Sequence, residues 1–345
     1  MSTYPDEALR ARNLVWHYTT LESLQLILES GTLMATEVGY QNDPLEPDTA
    51  YEAIRLGLHK LAEQPSYGRF ANSALHWQKE WRNHFGFIRG HSGRLTGTSR
   101  FIFCASTDPD NLYAWRTYAA GSRTGCAIGL DASVPLGLFS PANEAGVPNF
   151  SPWTTVEYDQ EALVRIAVDT LKKVGDVWNR EAARGDREAQ AQEDAGIPES
   201  LVEYNDYAFG VLLSEFGEAI AEVTAVAKHS SFRDEHETRV TVSDGAFAVT
   251  FSPGRDGPRP RVRLTSTPAW GKVATKPMPL PIRAIVLAPN ASSQASTTAH
   301  WLLHANDYPI DPVQVIDESG PEPILWEDPT QMIELYHSAH PYRDV

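Results

Sequence analysis

The spacing of the hydrophobic residues changes character along this chain, and that change limits the fold more than any single motif does. Short β-prone runs alternate with helical stretches near the N-terminus. The middle is helical: Leu163, Ile166, Thr170, Leu171, Val174, Val177 and Trp178 form one stripe, and Leu201, Tyr204, Tyr207, Ala208, Val211 and Ile220 another. Past Ser231 the period falls to two, so that residues 239–242, 247–251, 261–264 and 282–288 read as strands. A sheet begun at one end of the chain and completed at the other, around a helical block, belongs to the α+β class. No Pro/Gly/Ser linker interrupts the chain and no repeat is visible. Residues 1–345 are therefore expected to form one composite domain, with an N-terminal half at 14–131, a helical insertion at 160–226 and closing strands at 228–317.

Local signals sharpen this outline. Leu14-Val15-Trp16-His17-Tyr18 is β-prone, and Thr19-x-x-Glu22 has the spacing of a capping box. The helix that follows carries Leu21, Leu24, Ile27 and Leu28 and should end at Gly31, a left-handed cap, before a strand at 32–36. His17 and Tyr18 thus fall at a strand end, where side chains can face a cleft. Residues 42–46 read as a turn, 51–61 and 74–85 as helices, and 101–105 as a buried strand. Asp108-Pro109 looks like an N-cap with proline at the first helical position, opening a short helix with Leu112, Trp115 and Tyr118 on one face. A strand at 125–131 follows. Residues 180–198 read as a solvated helix end and loop, 254–257 as a hairpin turn, 297–305 as a helix and 313–316 as a strand before a Pro-rich acidic tail.

Composition removes several function classes. The 345 residues are 42% hydrophobic, enough for a full core, and carry 29 Lys and Arg against 45 Asp and Glu, a net charge of −16. That field repels phosphate backbones, so nonspecific nucleic-acid binding is not expected. Two cysteines, Cys104 and Cys126, cannot build a disulfide framework, and no run is long and apolar enough for a membrane span. The first twelve residues lack the apolar segment of a secretory signal, so the expected location is the cytoplasm, with no membrane partner. Walker, dinucleotide-fingerprint, H-E-x-x-H and G-x-S-x-G motifs are all missing.

Two segments could carry chemistry. In Glu235-x-Glu237-x-Arg239 a strand would turn both carboxylates and the guanidinium to one side. Carboxylates held together repel, which suits acid/base work or stabilisation of a developing cation, although a solvated strand face neutralised by Arg239 has the same pattern. His17, between Trp16 and Tyr18-Thr19, offers a donor and an acceptor beside aromatic rings, as a ribose site would; a histidine satisfied within the core is the plainer reading.

Trp16-His17-Tyr18-Thr19, Leu33 with Ala35, and Asn42-Asp43-Pro44-x-Glu46 open a longer series of landmarks. Phe103-Cys104-x-Ser106, Trp115-x-x-Tyr118-Ala119, Gly125 to Gly129, Val156-x-Tyr158, Lys228-x-x-x-Phe232-x-x-Glu235-x-Glu237-x-Arg239 and Ala288-Pro289-Asn290 continue it. In this order they resemble the bacterial domain-of-unknown-function family number 2971, which is similar in turn to ADP-ribosyltransferases. The resemblance implies a split mixed or antiparallel sheet with flanking helices and a helical insertion. It also implies NAD as substrate, no metal, and transfer of ADP-ribose to an unknown acceptor, in the setting of a toxin or defence effector. Carried over, Glu237 would be catalytic with Glu235 accessory, and His17 would hold a ribose or the amide region, with Tyr18 and Thr19 beside it. Tyr118 or Tyr113 would stack on nicotinamide, Trp115 would wall the pocket, and Asn42, Ser106 and Arg239 would anchor amide, ribose or phosphate. Two alternatives stand beside this reading: a non-catalytic nucleotide sensor using the same pocket, and a nuclease with Asp43, Glu46, Glu235 and Glu237 around Mg²⁺.

Overall fold

The strand–helix–strand start forms one residue later at its cap than the sequence suggests. In the computed structural model β1 (Leu14–Thr20) leads into α1 (Leu21–Ser30), and the N-cap is Thr20, not Thr19: its hydroxyl accepts from the Ser23 N–H at 3.4 Å. Thr19 lies one residue further inside the strand, opposite Cys126, while Thr20 is its last residue and turns into the helix. Gly31 takes the left-handed conformation (φ 59°) that ends α1, as expected, and turns the chain into β2 (Leu33–Glu37).

The structure describes residues 9, 12–40, 46–77, 100–119, 124–142, 148–197, 211, 215–243, 249–254, 257–310, 332–338 and 340. They divide into two compact units: Met1–Tyr40, Leu95–Thr155 and Asp234–Val345 form the first, and Gln41–Arg94 with Val156–Arg233 the second. The expected turn at 42–46, with Asn42 and Asp43, and the expected strand at 313–316 lie outside the described residues, as do the side chain of Glu46 and most of 201–211.

The first unit is α+β and holds a mixed, open sheet. Its further elements are β3 (Arg100–Ser106), α4 (Leu112–Tyr118; three helices precede it in chain order), β4 (Gly125–Asp131), β5 (Leu136–Phe139), β6 (Asn149–Thr155), β7 (Glu237–Ser243), β8 (Thr250–Ser252), β9 (Arg259–Ser266), β10 (Val273–Ala274), β11 (Ile282–Leu287), α7 (Ser293–Ala305) and β12 (Glu334–His337). The strand order is β10-β5-β9-β2-β3-β1-β4-β11-β12, with β7 on the other side of β3, β6 outside β7, and β8 on β9. Pairing is antiparallel except for β10 with β5 and β11 with β12. One face packs Leu21, Leu24 and Leu28 of α1 and Ala295, Ala299 and Leu303 of α7 against Val240, Val262, Leu264 and Ile285. A smaller cluster on Trp16, Tyr18, Ala127 and Val286 includes Ala114 and Trp115 of α4.

The second unit is helical: α2 (Glu46–Ala62), α3 (Gly68–His76), α5 (Gln160–Asp194) and α6 (Glu215–Val226). Asp159 caps α5 through the Ala162 N–H at 2.9 Å, and the predicted stripe from Leu163 to Trp178 is its buried side. The solvated helix end and loop expected at 180–198 is helix as far as Asp194, longer than the sequence suggests. Arg184, bonded to Glu188 at 3.0 Å and near Glu181, supplies i,i+3 and i,i+4 pairing, and Ala182 and Ala189 keep the buried stripe going. Among the described residues no helix is long and apolar enough to cross a membrane.

Candidate functional site

β3 organises the chemistry because its two edges are used differently. One edge pairs with β7 along the full strand, from Arg100↔Ser243 to Ser106↔Glu237. The other is shared: β2 takes Phe101 and Ile102, and β1 takes Ser106. Between these contacts the sheet splits, and His17 fills the opening. Its Nδ1 lies 3.2 Å from the Cys104 carbonyl and its ring packs on Phe103 at 4.7 Å. A carbonyl only accepts, so Nδ1 carries the proton and Nε2 of the neutral ring is an acceptor. Burial lowers the His17 pKa from its ordinary 6.5, the Cys104 carbonyl opposes that, and Arg261 adds to it.

A second titratable group, Glu37, ends β2. Burial pushes it up to about 7, against the N–H of Gly39, which donates to Oε2 at 2.7 Å. A carboxyl with a raised folded-state pKa contributes stability that is full below its unfolded value of 4.5 and is lost as pH rises through about 7. Glu37→Gln is expected to flatten the fall in stability between pH 4.5 and about 7, measured by urea unfolding across that range. An unchanged slope would remove Glu37 as its source.

The pair Glu237 and Arg239 shares one face of β7, as the alternation predicts. Arg239 Nε donates to Glu237 Oε1 at 2.6 Å and Nη2 to Oε2 at 3.2 Å, and the side chains are 1% and 5% exposed. This is a buried bidentate pair, so the charge of Glu237 is largely met within the protein. Glu235 does not join them on the strand. It ends a 3₁₀ turn (Ser230–Glu235), and His236 follows in the left-handed region at φ 47°, which breaks the period-two alternation before β7 begins. Glu235 is still buried in the same corner: its carbonyl accepts from the Ser106 hydroxyl at 2.8 Å, and Oε1 accepts from the Tyr118 hydroxyl at 3.1 Å.

The expectation that His17 faces the same cleft as Glu237 is corrected by the register. Trp16 pairs with Ser106 and Ser106 with Glu237, so those three side chains share a face. His17, the next residue, points to the opposite face, where Phe103 lies. The alternation holds for Glu237 and Arg239 on β7, but no local pattern fixes the register between β1 and β3.

The short helix α4 begins at Leu112 with Asn111 as its N-cap, not at Asp108-Pro109. Asp108 spends its carboxylate on the Asp110 N–H at 3.1 Å, while Asn111 Oδ1 accepts from Ala114 N–H at 3.0 Å. Trp115 packs edge-on to Tyr18 with centroids 4.7 Å apart and donates Nε1–H to Asp110 at 2.7 Å. Both rings are buried and structural in their contacts, so Trp115 does not wall an open pocket. Tyr113 is half-buried, whereas the ring of Tyr118 is exposed. Thr19 is half-buried on the His17 side of β1.

Tyr18 holds this corner together. Its hydroxyl donates to the Asp108 carbonyl at 2.7 Å and accepts from the Asn111 N–H at 2.7 Å, while Asn111 Nδ2 reaches the Asp234 carbonyl at 2.5 Å. Tyr18→Phe is expected to cost about 1–3 kcal/mol by orphaning these buried groups, read as a lower urea midpoint. A shift below a few tenths of a kcal/mol would mean that water replaces the hydroxyl.

Asp108 and His236 went unrecognised as site neighbours. They approach across the corner, His236 Nδ1 to Asp108 Oδ2 at 3.9 Å, and only the left-handed turn at His236, invisible in composition, brings them there. Among the described residues no group of three His, Cys, Asp or Glu is placed to hold a metal ion. No curated protein and no solved structure matches the chain. Residues 114–240, from α4 through the Glu237–Arg239 pair of β7, match the family model described as Protein of unknown function (DUF2971), and over that span the chain is similar to this family.

Proposed function

We propose that the protein is an ADP-ribosyltransferase-like enzyme that cleaves the nicotinamide–ribose bond of NAD at the corner formed by Glu235, Tyr118, Ser106 and the Glu237–Arg239 pair. The observation that carries this reading is a buried carboxylate, Glu235, held at 3.1 Å by the hydroxyl of an exposed tyrosine, Tyr118. Cleavage of that bond builds oxocarbenium character on the ribose, which an oriented carboxylate stabilises. In this reading the leading role passes from Glu237 to Glu235. Glu237 is neutralised by Arg239 and acts by fixing the start of β7, whereas Glu235 accepts from the hydroxyl of Tyr118, an exposed ring that nicotinamide can stack on. In this scheme Tyr118 positions Glu235 and supplies that ring.

Incubating the purified full chain with NAD and measuring free nicotinamide tests the reading. Release, with water or an added acceptor taking ADP-ribose, is the expected result. NAD bound and recovered intact would make the protein a nucleotide sensor, and no binding of NAD would overturn the reading.

A further inference from the structure

The face of β9 opposite the core carries a feature that the proposed chemistry does not use. Arg259, Arg261 and Arg263 alternate with Pro260, Val262 and Leu264, so the three guanidinium groups rise from one side of the strand while Val262 and Leu264 enter the core. Alternate residues on a strand stand about 6.6–6.8 Å apart. β8 adds hydroxyls to the same face, since Ser252 pairs with Arg259 and Thr250 with Arg261.

In a chain of net charge −16 these arginines should find carboxylates easily, yet none of the three is ion-paired among the described residues. The Nε of Arg261, the Nε of Arg263 and the hydroxyl of Ser252 are buried atoms with no hydrogen-bond partner. Buried donors left unsatisfied are uncommon and costly, more so when charged. Nor are the side chains splayed at random. The Arg263 guanidinium lies 4.4 Å from the centre of the Phe139 ring, and Arg259 packs so closely over Gly254 that a Cβ there would come within 2.4 Å of its Nε. Burial, with the like charge of Arg259, lowers the pKa of Arg261.

We propose that Arg259, Arg261 and Arg263 of β9, with Ser252 of β8, form a binding site for a small polyanion that carries two linked phosphates, of which inorganic pyrophosphate is the simplest. Guanidinium forks match phosphoryl oxygens bidentately, and neighbouring arginines at this spacing can converge on two linked phosphates from successive positions. The overall negative charge favours a small polyanion over a nucleic acid, whose backbone would also meet the repulsive field of the remaining surface. This site stands independently of the role given to Glu235.

The test is equilibrium binding of inorganic pyrophosphate, ADP and NAD to the full chain at low ionic strength, by calorimetry. All three should bind, more weakly as salt is raised. Arg261→Met should weaken each by on the order of 10- to 100-fold, the loss of one charged hydrogen-bonding group, while its melting temperature without ligand stays equal or rises because a like-charge contact is gone. Should that variant fail to fold, Ser252→Ala and Arg261→Lys provide the same comparison with smaller losses. Absence of pyrophosphate and ADP binding by the parent, or parental affinity in a folded Arg261→Met, overturns the site. Tighter binding of a single-stranded oligonucleotide than of pyrophosphate or ADP overturns the assignment to a small polyanion. Pyrophosphate binding without nicotinamide release keeps this site and removes the proposed reaction; nicotinamide release without pyrophosphate binding does the reverse.

Discussion

Arg239→Met is expected to destabilise the first unit by about 3–5 kcal/mol, because it leaves the Glu237 carboxylate buried without its bidentate partner. The side chains are 1% and 5% exposed and joined by bonds of 2.6 and 3.2 Å, so little water reaches either charge to soften the loss. Glu237→Met should cost a similar amount for the mirror-image reason. Replacing both residues by methionine should return the protein close to parental stability, since a buried ion pair and a well-packed apolar pair of similar volume are often energetically near one another. Urea unfolding of the parent, both single variants and the double variant closes the cycle, and simple addition of the two single losses would sink the account. The outcome also governs how activity data are read. A drop in turnover in a Glu237 variant reports on chemistry only if its folded fraction at the assay temperature is known.

How far the sequence disclosed this architecture depends on whether a signal was local. Thr20, Gly31, Asp159 and the Leu163–Trp178 stripe act within a few residues, and the elements they start, stop or bury lie where propensity and period put them, within a residue or so. Arg259–Ser266 and Ile282–Leu287 were legible for the same reason. β5, β6 and β12 were not. β6 is mostly exposed along its length and carries an irregularity between Ser151 and Thr154, and β12 is only partly buried, so neither shows the apolar alternation of a core strand. β5 is apolar but only four residues long. Non-local choices were the harder limit. The register Trp16↔Ser106↔Glu237 decides that His17 and Glu237 face opposite sides of the sheet, and nothing in either segment encodes it. The left-handed backbone at His236 likewise removes Glu235 from the strand that its spacing suggested, yet returns its carboxylate to Tyr118.

Glu235→Gln is expected to lower nicotinamide release by on the order of 10²–10³, about 3–4 kcal/mol of transition-state stabilisation, while NAD affinity changes little. Glutamine keeps an oxygen to accept the Tyr118 hydroxyl, which lies 3.1 Å from Glu235 Oε1, and the backbone bond from Ser106 to the Glu235 carbonyl at 2.8 Å is untouched. Shape and the bond to Tyr118 are therefore retained, while the negative charge is removed and one carboxylate oxygen becomes an amide donor. A charge that matters chiefly when the ribose becomes cationic is not much felt by bound, unreacted NAD, so its loss should appear in kcat and leave KM nearly constant. Tyr118→Phe separates positioning from charge: the ring remains for stacking but the carboxylate loses its orienting donor, so a smaller loss of rate is expected, with affinity again retained. Nicotinamide release and NAD affinity measured for the parent and both variants decide the matter. Equal rates for the parent and a folded Glu235→Gln would eliminate Glu235 as the stabilising carboxylate, whereas a loss confined to affinity would make this corner a binding site without chemistry.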